Sequence, residues 1–225
     1  MDTIQFVKTR ILQSSLSIEP WDHLYVEDFL PGPIYDKVDK ETSSLINLTD
    51  LSKRKQLALS PSNDFCKVFK DKSVQDLLFE KFKSSGKCGE VPQPTIKKAR
   101  IAYDVQPPGY RYRVHNDAPW KILSIIFYLA AKDDDEELGT RLYPGDKPPH
   151  TIVSLRRKPH KKIHNFNIHT DCVKISPYKP NAILIFSRND PILNPSKYWT
   201  NHAMINSSTK CRRSIQVFYS DDPRK

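Results

Sequence analysis

Two triplets, His115-Asn116-Asp117 and His169-Thr170-Asp171, set an imidazole and a carboxylate two residues apart. On a strand such residues point to one face, so either pair can offer a nitrogen and an oxygen to a single metal ion. A third ligand has to come from another segment, and His202 in YWTNHAMIN is the candidate. Two histidines and one carboxylate on one side of a metal leave the opposite positions open, an arrangement suited to Fe(II) sites that bind a co-substrate and O₂ together. Arg212 follows ten residues later and opens RRSIQVFYS, where it shares a face with Ser214. A guanidinium fork placed inside a barrel takes a carboxylate through two hydrogen bonds, more firmly than the point charge of a lysine. Strand phase prefers Arg212 to its neighbour Arg213, which shares the other face with Ile215 and Val217 and reads as a surface or edge residue. An exchange of the two arginines stays open.

These residues need strands to hold them. From about residue 97, β-branched and aromatic runs recur: ARIAYDV, YRYRVH, KILSIIFYLA, TRLY, HTIVSL, CVKI, NAILIF and RRSIQVFYS. Turn signals such as PPG, AKDDDEELG, YPGDKPP and SPYKPN separate them. Many short strands at this spacing indicate a sandwich or barrel rather than alternating βα units. The first half is mixed. PWDHLYVEDFLPGPIYDKVDKETSSLI starts as a short strand and turns at Pro31-Gly32-Pro33 into an amphipathic helix. DKSVQDLLFEKFKSSG sets Val74, Leu77, Leu78 and Phe82 on one helical stripe. LSKRKQLALSPSND, between them, is polar and reads as a loop.

The chain of 225 residues, 38 % hydrophobic and 10 % aromatic, is long enough for one domain with a packed core. Its net charge of +10 fits an anionic partner or a basic, soluble surface. Cys66, Cys88, Cys172 and Cys211 form no C-x-x-C pair, which argues against a structural zinc site and a disulfide framework. The first residues lack a signal-peptide core and no later run can span a membrane, so a reducing, cytoplasmic setting is expected. LRRKPHKKIH, residues 155–164, is the densest basic patch and carries no interleaved stacking residues; it reads as a solvated loop. KDDDEE, 132–137, lacks the ligand alternation of a calcium loop and reads as a charged hairpin tip.

Taken in order, the second half resembles the 2-oxoglutarate- and Fe(II)-dependent dioxygenases, in particular their prolyl 4-hydroxylase-like branch. IAYDVQPPGYRYRVHND resembles the family's tyrosine-bearing strand, glycine turn and H-x-D. KILSIIFYLA is similar to the core strand that follows, and LGTRLY to the G-G-x-L-x-L-Y segment. ISPYKPNAILIF resembles the approach strand, and NHAM with RRSIQVFY the distal histidine and R-x-S strand. YVEDFLPGPIYDKV resembles the usual opening. The likeness is close over 97–220 and loose over 20–40. Only one of the family's paired glycines is present, at Gly139, and Asn181 stands where glycine is common, which a left-handed turn admits.

The resemblance implies a mainly β fold: a double-stranded β-helix, or jelly-roll, core over 97–225 with mixed helical support over 1–96, in one domain. It implies His115, Asp117 and His202 as iron ligands, and Arg212 as partner of the distal carboxylate of 2-oxoglutarate, helped by Tyr128 and Ser214. Ser124, on the face of Tyr128, and Tyr103 are further candidates to line that pocket. Fe(II), 2-oxoglutarate and O₂, with ascorbate as reductant, are the implied cofactors. The implied reaction releases succinate and CO₂ and hydroxylates a C–H bond of a peptidyl proline-like residue or a small metabolite. A jelly-roll binding module with a degenerate metal site is the other reading.

Within the resemblance, His169-Asp171 lies only 33 residues before His202, downstream of the GTRLY segment, where the family has no ligand. It belongs with His150, His160 and His164 to a basic insertion suited to the surface or the substrate rim. An acidic substrate would fit that insertion. A nucleic-acid base as substrate is disfavoured, because that branch carries a second arginine six positions after the first and this chain has Phe218 there. Trp120 and Trp199, beside the ligands, are expected on the substrate side or in the barrel interior.

Overall fold

The structure, a computed structural model, describes residues 2–46, 52–83, 96, 98–118, 121–146, 172–187 and 199–220. Helices α1 (Thr3–Gln13), α2 (Gly32–Ile46), α3 (Asp64–Lys70) and α4 (Lys72–Lys83) all precede residue 97. Strands β1 (His23–Val26) and β2 (Lys55–Ala58) lie among them. The remaining strands are β3 (Lys98–Gln106), β4 (Arg111–His115), β5 (Lys121–Tyr128), β6 (Thr140–Leu142), β7 (Lys174–Ser176), β8 (Ile183–Ser187), β9 (His202–Ile205) and β10 (Arg212–Ser220). They form two antiparallel sheets, a major one in the order β1-β8-β5-β10-β3-β2 and a minor one in the order β4-β9-β6-β7. This is the jelly-roll architecture expected from the sequence.

The major sheet is covered on both faces, and its sequences show why. In β5, Leu123, Ile125 and Phe127 face the helices, while Ser124, Ile126 and Tyr128 face the minor sheet. In β10, Ile215, Val217 and Tyr219 join the helical core, and Arg212, Ser214, Gln216 and Phe218 take the opposite face and are buried as well. A strand that alternates apolar with polar residues and is buried throughout has a polar interior on one side. The helical side is a continuous apolar layer: Val7 and Ile11 of α1, Phe65 and Phe69 of α3, and Leu78 and Phe82 of α4 pack on the sheet.

Local signals account for the helix ends. Asn63 caps α3 by accepting from Phe65 N at 2.9 Å. The carboxylate of Asp71 accepts from Ser73 N and Val74 N and so starts α4 one residue after α3 stops. Two segments differ from the sequence expectation. Thr3–Gln13, read only for its lack of a signal core, is a helix. LSKRKQLALSPSND, read as a loop, contains β2, an edge strand whose backbone bonds come from β3. Leu57 and Leu59 lean on the helical core, and this pairing overrides a polar composition. The acidic run forms a turn ahead of a 3₁₀ turn at Glu136–Leu138, with Asp133 paired to Lys210 at 2.6 Å.

The retained glycine and the departure at Asn181 each have a physical reason. A side chain at Gly139 would put its Cβ 1.7 Å from the carbonyl oxygen of Ser176, so this glycine is fixed by the close approach of β7. Asn181 sits at φ 57° and its amide bonds the backbone of Leu30 on both sides, accepting from N at 2.9 Å and donating to O at 2.8 Å. The asparagine thus ties the segment before α2 to the loop before β8.

On β1, His23 is buried, and its Nδ1–H donates to Trp21 O at 2.7 Å. Burial lowers its pKa to about 4, outweighing the carbonyl of Trp21 that favours the proton. In the unfolded chain the same imidazole takes a proton below its ordinary value of 6.5. Stability is therefore lost as pH falls from about 6.5 to about 4, by about 3 kcal/mol from this residue alone. His23→Gln should flatten that part of the profile when urea unfolding is compared at pH 7 and pH 4.5.

Among the described residues no helix is long and apolar enough to cross a membrane. Cys66, Cys172 and Cys211 are free thiols.

Candidate metal and carboxylate site

His115 ends β4 and His202 opens β9, and the two stand directly opposite each other in the sheet register. Their ring centroids are 4.2 Å apart. Each ring is held the same way: Nδ1–H donates to the carbonyl two residues earlier, His115 to Arg113 O and His202 to Thr200 O, both at 2.9 Å. That fixes the tautomer and leaves each Nε2 with its lone pair available. Asn116 and Thr200 bond across the same two strands at 2.7 Å and lock the pair in register.

Asp117 lies just beyond the end of β4, so the strand rule that paired it with His115 describes only the first of the two residues. It turns towards β5, where Ser124 Oγ donates to Oδ2 and Lys121 Nζ to Oδ1, the latter at 2.5 Å. Ligand atoms of His115, Asp117 and His202 all lie within 4.8 Å of one another, a spacing one ion can bridge. All three residues are buried. Burial and the nearby positive charges lower the pKa of both histidines, that of His115 to about 3, so both are neutral ligands at neutral pH. Burial alone would raise the Asp117 carboxyl; the Lys121 ammonium beside it outweighs that and holds the group ionised. Two neutral imidazoles and one carboxylate aimed at a common point make a donor set for Fe(II) or a similar divalent ion.

The triad opens into a cavity of about 230 Å³ between the sheets. Ser124, Ile126 and Phe186 line it from β5 and β8, Met204 from β9, and Gln216 and Phe218 from β10. Arg54, Gln56, Arg100 and Tyr112 form its rim. Arg54 reaches inward to buried Asp104, Nε to Oδ1 at 2.7 Å, with its guanidinium 5.4 Å from the Tyr112 ring centroid.

Arg212 stands at the far end of this interior, completely buried. Its Nε donates to Leu138 O at 2.6 Å and its Nη1 to Gln106 Oε1 at 3.4 Å. The guanidinium carbon lies 5.4 Å and 5.2 Å from the ring centroids of Tyr128 and Tyr178. Nη2 makes no hydrogen bond, nor does the buried hydroxyl of Ser214. Among the described residues no carboxylate pairs with Arg212. A buried cation with an orphaned donor, beside an orphaned hydroxyl, fits a carboxylate that the chain itself does not supply. Met204 Sδ, 3.7 Å from Nη1, stands between this group and the cavity.

The other candidates fall as follows. Tyr128 lies under Arg212, its hydroxyl donating to Thr140 Oγ1 at 2.9 Å and reaching Ser176 Oγ at 3.2 Å. Ser124 lines the cavity at the metal end, against Asp117, rather than beside Arg212. Tyr103 faces away: it packs in the helical core with Val105 and Ile215, and Asp104 and Gln106 are the β3 residues that face the interior. Alternation along ARIAYDVQ carries that information. Arg213 is not a surface residue; it sits under α2, paired with Asp39 at 3.0 Å and Ser43 at 2.6 Å. Trp199 is buried. Trp120, the insertion 147–164 and His169-Asp171 lie outside the described residues. Lys121, Gln106, Tyr178 and Met204 were not singled out by sequence, since each becomes informative only through what it touches.

No family model matches the sequence, and no curated protein matches it. The fold is shared with solved structures. A prolyl-4-hydroxylase from Pseudomonas putida superposes with a TM-score of 0.53 at 12% identity, covering 96% of this chain and 98% of its own. A prolyl hydroxylase from Trichoplax adhaerens, in complex with a hypoxia inducible factor oxygen degradation domain peptide fragment, gives 0.51 at 13% identity over 97% and 89%. A prolyl 4-hydroxylase from Phytophthora capsici gives 0.51 at 10% identity over 96% and 63%. The chain has the fold of these hydroxylases.

Proposed function

We propose that the chain is an Fe(II)- and 2-oxoglutarate-dependent dioxygenase that hydroxylates a C–H bond of its substrate. The observation that carries this reading is the pairing of two sites in one barrel interior. A His-Asp-His donor set sits at one end, and at the other Arg212 is buried with an orphaned Nη2 and no carboxylate partner among the described residues. His115, Asp117 and His202 would hold the metal, and Arg212, with Ser214, the distal carboxylate of 2-oxoglutarate. The bound metal and co-substrate supply the oxidising chemistry, drawing on O₂, with ascorbate keeping the iron reduced. The chain's part is to hold the ligand lone pairs free, keep Asp117 ionised and leave the cavity side of the ion open. Met204 packs its thioether against Nη1 of the same guanidinium, and its unbranched chain can shift as a carboxylate enters.

A peptidyl residue is the substrate class that the fold neighbours favour, with a small metabolite as the alternative. Arg100 on the cavity lining favours an acidic one; Arg54 is already paired with Asp104.

The experiment is succinate formation from 2-oxoglutarate with Fe(II), ascorbate and O₂, run beside His115→Ala. Turnover confined to the wild type, with +16 Da products in peptide pools, is expected. Equal rates for the two proteins would sink the enzyme reading and leave a non-catalytic jelly-roll binding module.

A further inference from the structure

The carboxylate that a metal needs is already engaged. Lys121 Nζ donates to Asp117 Oδ1 at 2.5 Å, and Ser124 Oγ donates to Oδ2. The Lys121 and Asp117 side chains are 14% and 5% exposed, so water screens their interaction weakly. Lys121 is also held from a second side. Its Nζ lies 3.6 Å from the ring centroid of Phe218, a residue of β10 that stands opposite Ser124 in the sheet. The aromatic face keeps the ammonium at the wall of the same cavity that the triad opens into.

A divalent ion on the triad and an ammonium on Asp117 would be two cations sharing one carboxylate in a poorly screened pocket. Either the ion takes an oxygen that Lys121 now holds, or the two sit on opposite oxygens and repel. Both outcomes weaken metal binding relative to a site without the lysine. Ser124 differs, because a neutral hydroxyl can stay on the second oxygen and orient the carboxylate as an outer partner does. Phe218 gives the displaced ammonium a place to remain, so the competition can be reversible.

We propose that Lys121 is a positioning residue that competes with the divalent metal for Asp117 and thereby sets how tightly the site holds its ion. The inference rests on reading His115, Asp117 and His202 as the metal ligands.

Equilibrium Mn(II) binding, without O₂ or 2-oxoglutarate and followed by the EPR signal of free Mn(II), tests this on the whole chain. Lys121→Met and Lys121→Gln should each bind Mn(II) about tenfold or more tightly than wild type, and Lys121→Arg should stay near wild type. A variant that merely damages the site weakens binding, so tightening is a result that local damage does not produce. Thermal unfolding without metal shows which variants are folded, and either neutral variant suffices. Unchanged or weaker binding in a folded neutral variant overturns the competition while leaving the metal site standing. Wild-type-like binding by Asp117→Asn shows instead that the ligand assignment fails, and the role of Lys121 fails with it.

Discussion

Asp117→Ala should abolish divalent-metal binding and lower 2-oxoglutarate turnover by about a thousandfold or more. The carboxylate is the one anionic member of the donor set, and the two neutral imidazoles that remain bear no charge to offset the ion. It is also 5% exposed, so no bulk water replaces it freely. The same substitution removes the ion pair of Lys121, so apo-protein stability should fall by about 1–3 kcal/mol. Asp117→Asn separates the two effects: it keeps the shape and the Ser124 contact but loses the charge. Mn(II) binding and succinate release measured on both variants provide the check. Turnover retained in Asp117→Ala would rule out the metal assignment.

Arg212→Leu should raise the 2-oxoglutarate requirement about 100-fold while leaving Mn(II) affinity within a factor of two or three. The split follows from position. Arg212 lies behind Met204, outside the cavity lining that includes the triad, and it touches none of the three ligands. Its Nη2 has no hydrogen-bond partner, so the protein carries a buried cation with one unsatisfied donor. Leucine removes a buried charge but also the donor to Leu138 O and Gln106 Oε1, so the apo variant should lose about 1–3 kcal/mol of stability at most. Adding 2-oxoglutarate with Mn(II) should raise the melting temperature of wild type but not of Arg212→Leu. A variant that weakens metal and co-substrate binding alike would place Arg212 in the support of the barrel rather than at the carboxylate.

Much of this was legible from residue types and spacing. The His-x-Asp pair, the distal histidine and the arginine-serine strand appear in order, and alternation along RRSIQVFYS puts Arg212 on the interior face and Arg213 on the helical face. Many short strands parted by turn residues pointed to a sandwich or barrel, and the family resemblance narrowed that to a jelly roll. Tyr103 was misplaced because the choice followed its resemblance to a family tyrosine; period-two alternation puts it with Ile101 and Val105, against the helices. β2 was missed because an edge strand draws its hydrogen bonds from a partner about 50 residues away, and a polar four-residue run carries no such signal. Lys121 escaped notice because its meaning lies in a 2.5 Å contact around a turn, and a lysine opening a strand otherwise reads as solvated.

One of the two middle strands of the major sheet, β10, follows every other described strand in sequence. It pairs on one side with β3, Arg212 opposite Gln106, and on the other with β5, Ser214 opposite Tyr128. During synthesis both partners emerge long before it and must wait with unsatisfied edges. Native closure of the barrel therefore depends on contacts between residues about a hundred positions apart, which makes folding slow and dependent on the last strand. A chain interrupted before residue 212 would expose two hydrophobic strand edges, an invitation to aggregate or to recruit a chaperone. The same late strand delivers Arg212, so the carboxylate site proposed around it comes into being only when the fold itself is complete.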